Sequence, residues 1–328
     1  MANINTFLLR DTLDDNGGTG HTLFSKSPDL ICHPQVLNPA EFFKENYTRD
    51  VTQTVDTSSK TNALYVRGKN MSSTGFSGKI QVYRSDMSLF LKPSLWKNNK
   101  LKTAPKDGEN PLDYIDISAE ANGISVGKTP FVLDGTIGNF CLVGMASDMN
   151  GPVIPADFTT YDSFIKWVTS NQGVCVRNQN YYSLSQKPNL EIAAEISNPE
   201  TESKLCTLEV MVEGVPVGVT FGAKNTALSY DKEMVSTQST DQFASALYIP
   251  SGFDGFFTGT VRYSGALPAG AQLSLTIYYG SKAGSEVYHL GYVPETILKY
   301  DANNKTAGEL LNGQYRLVRL GRCSVRAV

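Results

Sequence analysis

At 328 residues the chain is long enough for about two domains on the usual span of roughly 100–200 residues each, and each can bury a core of its own. The hydrophobic share is that of a globular protein at 41%, only 19% of residues are charged, and 28 Gly, 16 Tyr and 15 Phe favour strands and turns over helices. The net charge of −3, with acids and bases interspersed, provides no one-sided field for a polyanion, so nucleic acid is not an expected partner.

Residues 1–30 lack the charged start, long apolar run and small-residue cleavage site of a Sec signal. The expectation is synthesis in the cytosol and, if the protein works outside a cell, release by a leaderless route. No window offers about twenty uninterrupted apolar residues, so no helix is expected to span a membrane. Asp11, Asp14 and Asp15, with Asn16, gather oxygen atoms that Ca²⁺ could use. The twelve-residue loop ending in Glu is absent, however, and a plain acidic turn is the competing reading. Gly17-Gly18-Thr19-Gly20 neither follows a strand nor opens a helix, and reads as a turn rather than a phosphate cradle.

Further along, short helices are predicted at three places. Asn38 and Glu41 suggest a capping box ahead of Phe42 and Phe43. Thr159 or Thr160 can cap a helix whose Tyr161, Phe164, Ile165 and Val168 share one face beside Trp167. Thr306 with Glu309, closed by Gly313, marks the third.

Almost everything else alternates with period two between turn residues, the pattern of half-buried strands. The predicted strands are Ala63 to Lys69, Lys79 to Arg84, Tyr114 to Ala119, Phe140 to Ala146, Val174 to Asn178, Leu190 to Ile196, Leu205 to Val212, Val217 to Phe221, Ser245 to Ile249, Gly259 to Tyr263, Gln272 to Tyr279, Glu286 to Tyr292 and Gln314 to Leu320. The fold class is therefore all-β, two tandem antiparallel β-sandwiches with a few short helices. The polar, Pro-containing link Ser185 to Pro188 divides them into 1–186 and 187–328. Ser85 to Pro111, around Trp96 and Lys97, is long for a hairpin connection, and such loops on a rigid sheet are where binding concentrates.

Chemistry is sparse. His21, His33 and His289 are the only imidazoles, and Cys32 and His33 point to opposite faces if they share a strand, so no catalytic residue is assigned. The five cysteines form no CxxC pair and, in a chain without a signal, no disulfide framework. Cys141 and Cys175 lie in apolar runs and read as inert core thiols. Tyr181-Tyr182 and Tyr278-Tyr279 can stack on sugars or simply pack across strands. Candidate binding residues are Trp96, Lys97, Tyr181 and Tyr182.

The opening Ser27-Pro28-Asp29-Leu30-Ile31, the strand Asn62 to Asn70, its partner Ile80 to Tyr83 and the strand Phe140 to Val143 resemble the CARDB-like, immunoglobulin-like adhesion modules of bacterial surface and secreted proteins over residues 27–184. That resemblance implies a non-catalytic sandwich used as a spacer or adhesive unit. The second half is similar only in general appearance to β-sandwich domains of bacterial toxin-associated or phage-like proteins. The expected function is binding or assembly, with a protein or glycan partner or copies of the chain itself. Two alternatives stand beside it. One is a leaderless toxin component that contacts or permeabilises membranes, suggested by the small-residue strands Val217 to Ala223 and Ala244 to Gly259. The other is a hydrolase with an unrecognised site.

Overall fold

The computed structural model describes residues 7–18, 23–53, 62–86, 92–105, 110–133, 140–179, 181–183 (backbone only), 189–293, 310 and 312–327. The protein is all-β with short helices and gathers into two compact units, the first from 1–86, 91–157 and 167–179 and the second from 158–166 and 180–328. The expected link Ser185 to Pro188 lies outside the described residues.

The first unit contains β1 (Phe7–Leu8), β2 (Leu30–His33), α1 (Pro39–Glu45), β3 (Asn62–Asn70), β4 (Phe76–Asp86), α2 (Pro93–Trp96), β5 (Ile115–Ala119), β6 (Ile124–Val126), β7 (Phe131–Leu133), β8 (Phe140–Ser147) and β9 (Val174–Gln179). Strand β3 organises one sheet: β1 and β2 pair along one of its edges, β6 and β7 along the other. The second sheet runs β5-β4-β8-β9. Gly144 on β8 lets the sheets approach, since a Cβ there would stand 2.9 Å from Leu30 Cδ2 and 3.0 Å from Cys175 Sγ.

Helix α1 forms where expected, but Asn38 makes no side-chain cap bond and offers only its carbonyl to the Phe42 N–H at 3.0 Å. What holds the helix is packing: Phe43 is buried among Ile31, Ala63, Tyr65 and Val126. Helix α3 (Tyr161–Ser170) buries Tyr161, Phe164, Ile165 and Val168, the face its periodicity announced. Its start is a reciprocal cap in which Ser163 N–H donates to Thr160 Oγ1 at 3.1 Å and Thr160 N–H to Ser163 Oγ at 3.3 Å.

The second unit is a sandwich of two sheets. β10 (Tyr181–Ser183), β11 (Asn189–Ser197), β12 (Lys204–Glu213), β13 (Thr220–Asn225), β14 (Tyr230–Val235), β15 (Thr240–Ile249), β16 (Asp254–Arg262), β17 (Gln272–Lys282) and β18 (Tyr315–Ala327) are ordered β10-β18-β17-β12-β15 and β11-β16-β13-β14. All pairs are antiparallel except β10 with β18. Gly259 on β16 faces the opposite sheet, where a Cβ would meet Leu275 Cδ2 at 2.8 Å. Within this unit the Tyr161 ring stacks on Tyr279 at 4.7 Å and its hydroxyl donates to the Ser197 carbonyl at 2.6 Å.

Three expectations are corrected. Glu286 to Tyr292 is a turn leading into a 3-10 helix (Tyr288–Leu290), because Ser285 captures the local backbone, accepting from Val287 N–H through Oγ and from Tyr288 N–H through its carbonyl, both at 3.2 Å. Strand β13 begins only at Thr220, since Gly218 turns the chain at φ +88°. Strand β14 went unforeseen because its exposure alternates only between half-buried and exposed, with few apolar residues to mark it. The third predicted helix falls largely outside the described residues.

A buried charge network ties the first unit together. Asp29 accepts from Arg10 N–H at 2.8 Å, Arg10 Nε at 3.1 Å, Arg10 Nη2 at 2.7 Å and Arg67 Nε at 2.8 Å. Arg67 Nη1 donates to the Phe43 and Asn46 carbonyls, and its Nη2 to those of Pro28 and Arg49. A cation at the C-terminal end of α1 is favoured by the helix dipole as well as by these bonds. Burial opposes the charge on both arginines. At Arg10 the hydrogen bond and charge of Asp29 outweigh burial and hold the pKa up. At Arg67 burial wins and the value falls, yet guanidinium basicity keeps the side chain ionised. Replacing Asp29 with Ala strands two buried cations, and urea unfolding is expected to show a loss of about 3–5 kcal/mol. A loss within about 0.5 kcal/mol of zero, the range of an ordinary surface substitution, would sink this account of the network.

Candidate functional site

A concavity of about 660 Å³ lies in the first unit. It runs between two strand edges that belong to different sheets. On one side is β5, which among the described residues pairs only with β4. On the other are β6 and the turn Lys128-Thr129 that leads to β7. The mouth is framed by Thr103, Ala104, Asn110 and Leu112, drawn from the long segment flagged in the sequence and the residues just after it.

That segment is held in place by backbone bonds. Arg84 N–H donates to the Asn99 carbonyl at 2.9 Å and Leu101 N–H to Val82 at 2.8 Å. Val132 N–H donates to Lys102 and Ala104 N–H to Pro130, at 2.8 and 2.9 Å. Helix α2 within the segment is pinned by Asp157, which accepts from Ser94 N–H at 2.7 Å and Ser94 Oγ at 2.6 Å. The described parts of the segment are thus tied to the sheets.

The groove combines an apolar floor with polar rims. Ile115, Ile117 and Val126 are buried, while Asp116, Ser118 and Lys128 are exposed. Gly127 sits so close to Ile115 that a Cβ would fall 2.4 Å from its Cδ1, so a larger residue there would require the Ile115 side chain to shift. At the edge of β5, Ser118 N–H points away from β4 and donates to Ser125 Oγ at 3.2 Å. By the two-residue period of a strand, Asp116 N–H faces the same outward side.

The sequence-predicted residues are scattered. Trp96 is fully buried, edge-on to Tyr83 at 5.1 Å and stacked on Trp167 at 6.3 Å, so its indole serves packing. Lys97 is exposed at the end of α2. Tyr181 and Tyr182 form β10, and their side chains lie outside the described set. Tyr278 and Tyr279 are buried, Tyr278 donating to Glu209 Oε2 at 3.1 Å.

Asp11, Asp14 and Asp15 do not converge as a cation site. Asp11 is buried, Asp14 exposed, and Asp15 spends its oxygens on the N–H groups of Asp11 at 3.0 Å and Gly17 at 2.8 Å. Among the described residues no group of three or more His, Cys, Asp or Glu is placed to hold a metal ion. His33 lies against Phe42 and Phe43 and His289 is exposed, whereas His21 is outside the described residues. All five cysteines are free and buried, and burial pushes the Cys32 thiol up to about 12 despite Arg177. Asp116, Ser125 and Lys128 were not singled out from the sequence. Alternation showed only which way Asp116 and Ser118 face, and nothing in it says that β5 is an edge.

No family model and no curated protein matches the chain. Among solved structures, similarity is found to the collagen adhesin of S. aureus, at 8% identity over 81% of this chain and 87% of that one, with a TM-score of 0.20. The calcium-binding domain CBD12 of CALX1.1 gives 9% identity over 84% and 96%, with a TM-score of 0.19. Red sea bream transglutaminase gives 8% identity and a TM-score of 0.17, with 66% of this chain covering 27% of that protein. Likenesses of this strength carry no argument about what this chain does.

Asp11 supplies a test of the acidic turn. Burial first, and then the charges of Asp15 and Asp29, push its acid well above the ordinary carboxylate value, and its Oδ1 has no hydrogen-bond partner among the described residues. The fold therefore prefers the neutral form. This contribution is complete below the unfolded value of about 3.9 and is lost as pH rises through the folded value. Asp11→Asn mimics the neutral acid, so its unfolding midpoint should match the parent near pH 4 and exceed it increasingly toward pH 8. A difference independent of pH would contradict this.

Proposed function

We propose that the chain is a non-catalytic binding protein, an adhesion-type sandwich of the immunoglobulin-like kind, that takes an extended segment of a partner protein into the groove beside β5. The supporting observation is the free edge. Asp116 N–H faces the groove with no ladder partner on that side among the described residues, over an apolar floor and between polar rims, which are the conditions for adding a strand from another chain. Main-chain bonds would supply affinity, and the pockets over Ile115 and Ile117 would select alternate side chains. In this reading Thr103 and Leu112 frame what can enter.

The edge geometry dictates the test. Proline at 116 removes an outward N–H without touching the ladder to β4, whose bonds are made by residues 115, 117 and 119. Peptides selected against the full chain from a displayed library of random extended sequences should bind Asp116→Pro at least about tenfold more weakly, the cost of one or two lost hydrogen bonds. The unfolding midpoint of the variant should stay near that of the parent. Failure to select any peptide, or equal binding by Asp116→Pro, would refute the edge as the docking site.

A further inference from the structure

A second cavity in the first unit, of about 420 Å³, is lined by Leu8, Arg10, Asp14, Tyr47 and Lys69 among others, and shares no residue with the groove. Beside it stand hydrogen-bond donors that the protein leaves unused. Arg10 commits Nε and Nη2 to Asp29 and the Tyr47 carbonyl, while its Nη1 meets no acceptor among the described residues. Tyr47 lies flat on that guanidinium, 3.5 Å from ring centroid to Cζ. The Tyr47 hydroxyl is buried and has no hydrogen-bond partner among the described residues. Lys69, half-buried on β3, has no ion pair among them.

A buried hydroxyl without a partner is costly in a native fold, and an acceptor from outside removes that cost. Burial, ahead of the nearby charge of Asp29, pushes the Tyr47 phenol upward, so it remains an O–H donor at neutral pH. The surrounding charge sets the valence of the occupant. Arg10 and Arg67 share the single charge of Asp29, and Lys69 adds another cation. Asp14 and Asp15, also in the lining, cancel the remaining surplus, since three cations then face three aspartates, so an anion is held by the donors themselves and a second negative charge is opposed more strongly than the first. A singly charged, planar anion with two acceptor oxygens suits a guanidinium nitrogen, a phenol and an ammonium, whereas a phosphate dianion would face the two aspartates.

We infer that this pocket is a binding site for a small carboxylate, held by Arg10 Nη1, the Tyr47 hydroxyl and the Lys69 ammonium. Asp29 positions Arg10 from behind, and the stacked tyrosine ring fixes the plane of its guanidinium. This site is independent of strand addition at β5.

The test is titration of the full ¹⁵N-labelled chain, followed by amide shifts, with acetate, benzoate, inorganic phosphate and chloride at matched ionic strength. Saturable binding is expected for the carboxylates alone, with shifts centred on residues 8–16, 47–48 and 69. Lys69→Met and Tyr47→Phe, the latter keeping the ring over Arg10, should each weaken it about tenfold or more, as for loss of one charge-assisted or buried hydrogen bond. The inference is overturned if no carboxylate saturates up to high millimolar concentration, if both variants bind as the parent does, or if phosphate binds more tightly than either acid.

Discussion

One buried carboxylate with two arginines fixes the architecture of the first unit. Asp29 sits just before β2 and receives Arg10 from the segment after β1 and Arg67 from the middle of β3. Arg67 then spreads its remaining donors over carbonyls of 28, 43, 46 and 49. Three of those carbonyls belong to the end of α1 and to the irregular chain after it, and that of Pro28 to the chain just before β2, where the backbone has no ladder of its own. Buried main-chain acceptors must be satisfied, and here one side chain does it for four residues. Arg177 extends the arrangement from β9, bonding the Ser27 carbonyl and pairing with Asp50 at 3.1 Å. The irregular stretches before β2 and after α1 are thus anchored by charge.

The second unit rests on a different principle. Its strands are longer, and its ladders run without interruption along β12, β15, β16 and β17 apart from one irregularity between Ile277 and Tyr278. Its interior is made by inward-facing apolar residues such as Leu208, Val210, Phe221, Phe243 and Leu275. One polar intrusion is a matched pair, where the Ser274 and Ser324 hydroxyls meet at 2.8 Å. Regular sheets satisfy their own backbone, so no arginine is needed to do so.

This contrast explains why the groove and the second cavity both lie in the first unit. Short strands and interrupted ladders leave edges, such as that of β5, and leave donors, such as those around Tyr47. Reactive chemistry is less favoured by the same packing. Burial pushes the Cys206 thiol up to about 12 and holds Cys175 well above its ordinary value, so these sulfurs stay protonated at neutral pH and behave as core atoms.

Period-two alternation in residues such as Leu190 to Ile196 and Leu205 to Val212 was enough to determine an all-β chain, because side-chain direction in a strand follows from backbone geometry alone. The Tyr161 helix was equally legible, since its apolar spacing and Thr160 lie within a few residues of each other. The 3-10 turn at Tyr288 was not, because Ser285 overrode a strand-like pattern through its own hydrogen bonds. Nor was the burial of Arg67, which reads as an ordinary polar residue until Asp29, thirty-eight positions away, is brought against it. The groove and the carboxylate pocket belong to the same class. Each is made by residues distant in sequence, and whether a strand is an edge, or a donor lacks an acceptor, depends on neighbours that only the folded chain supplies.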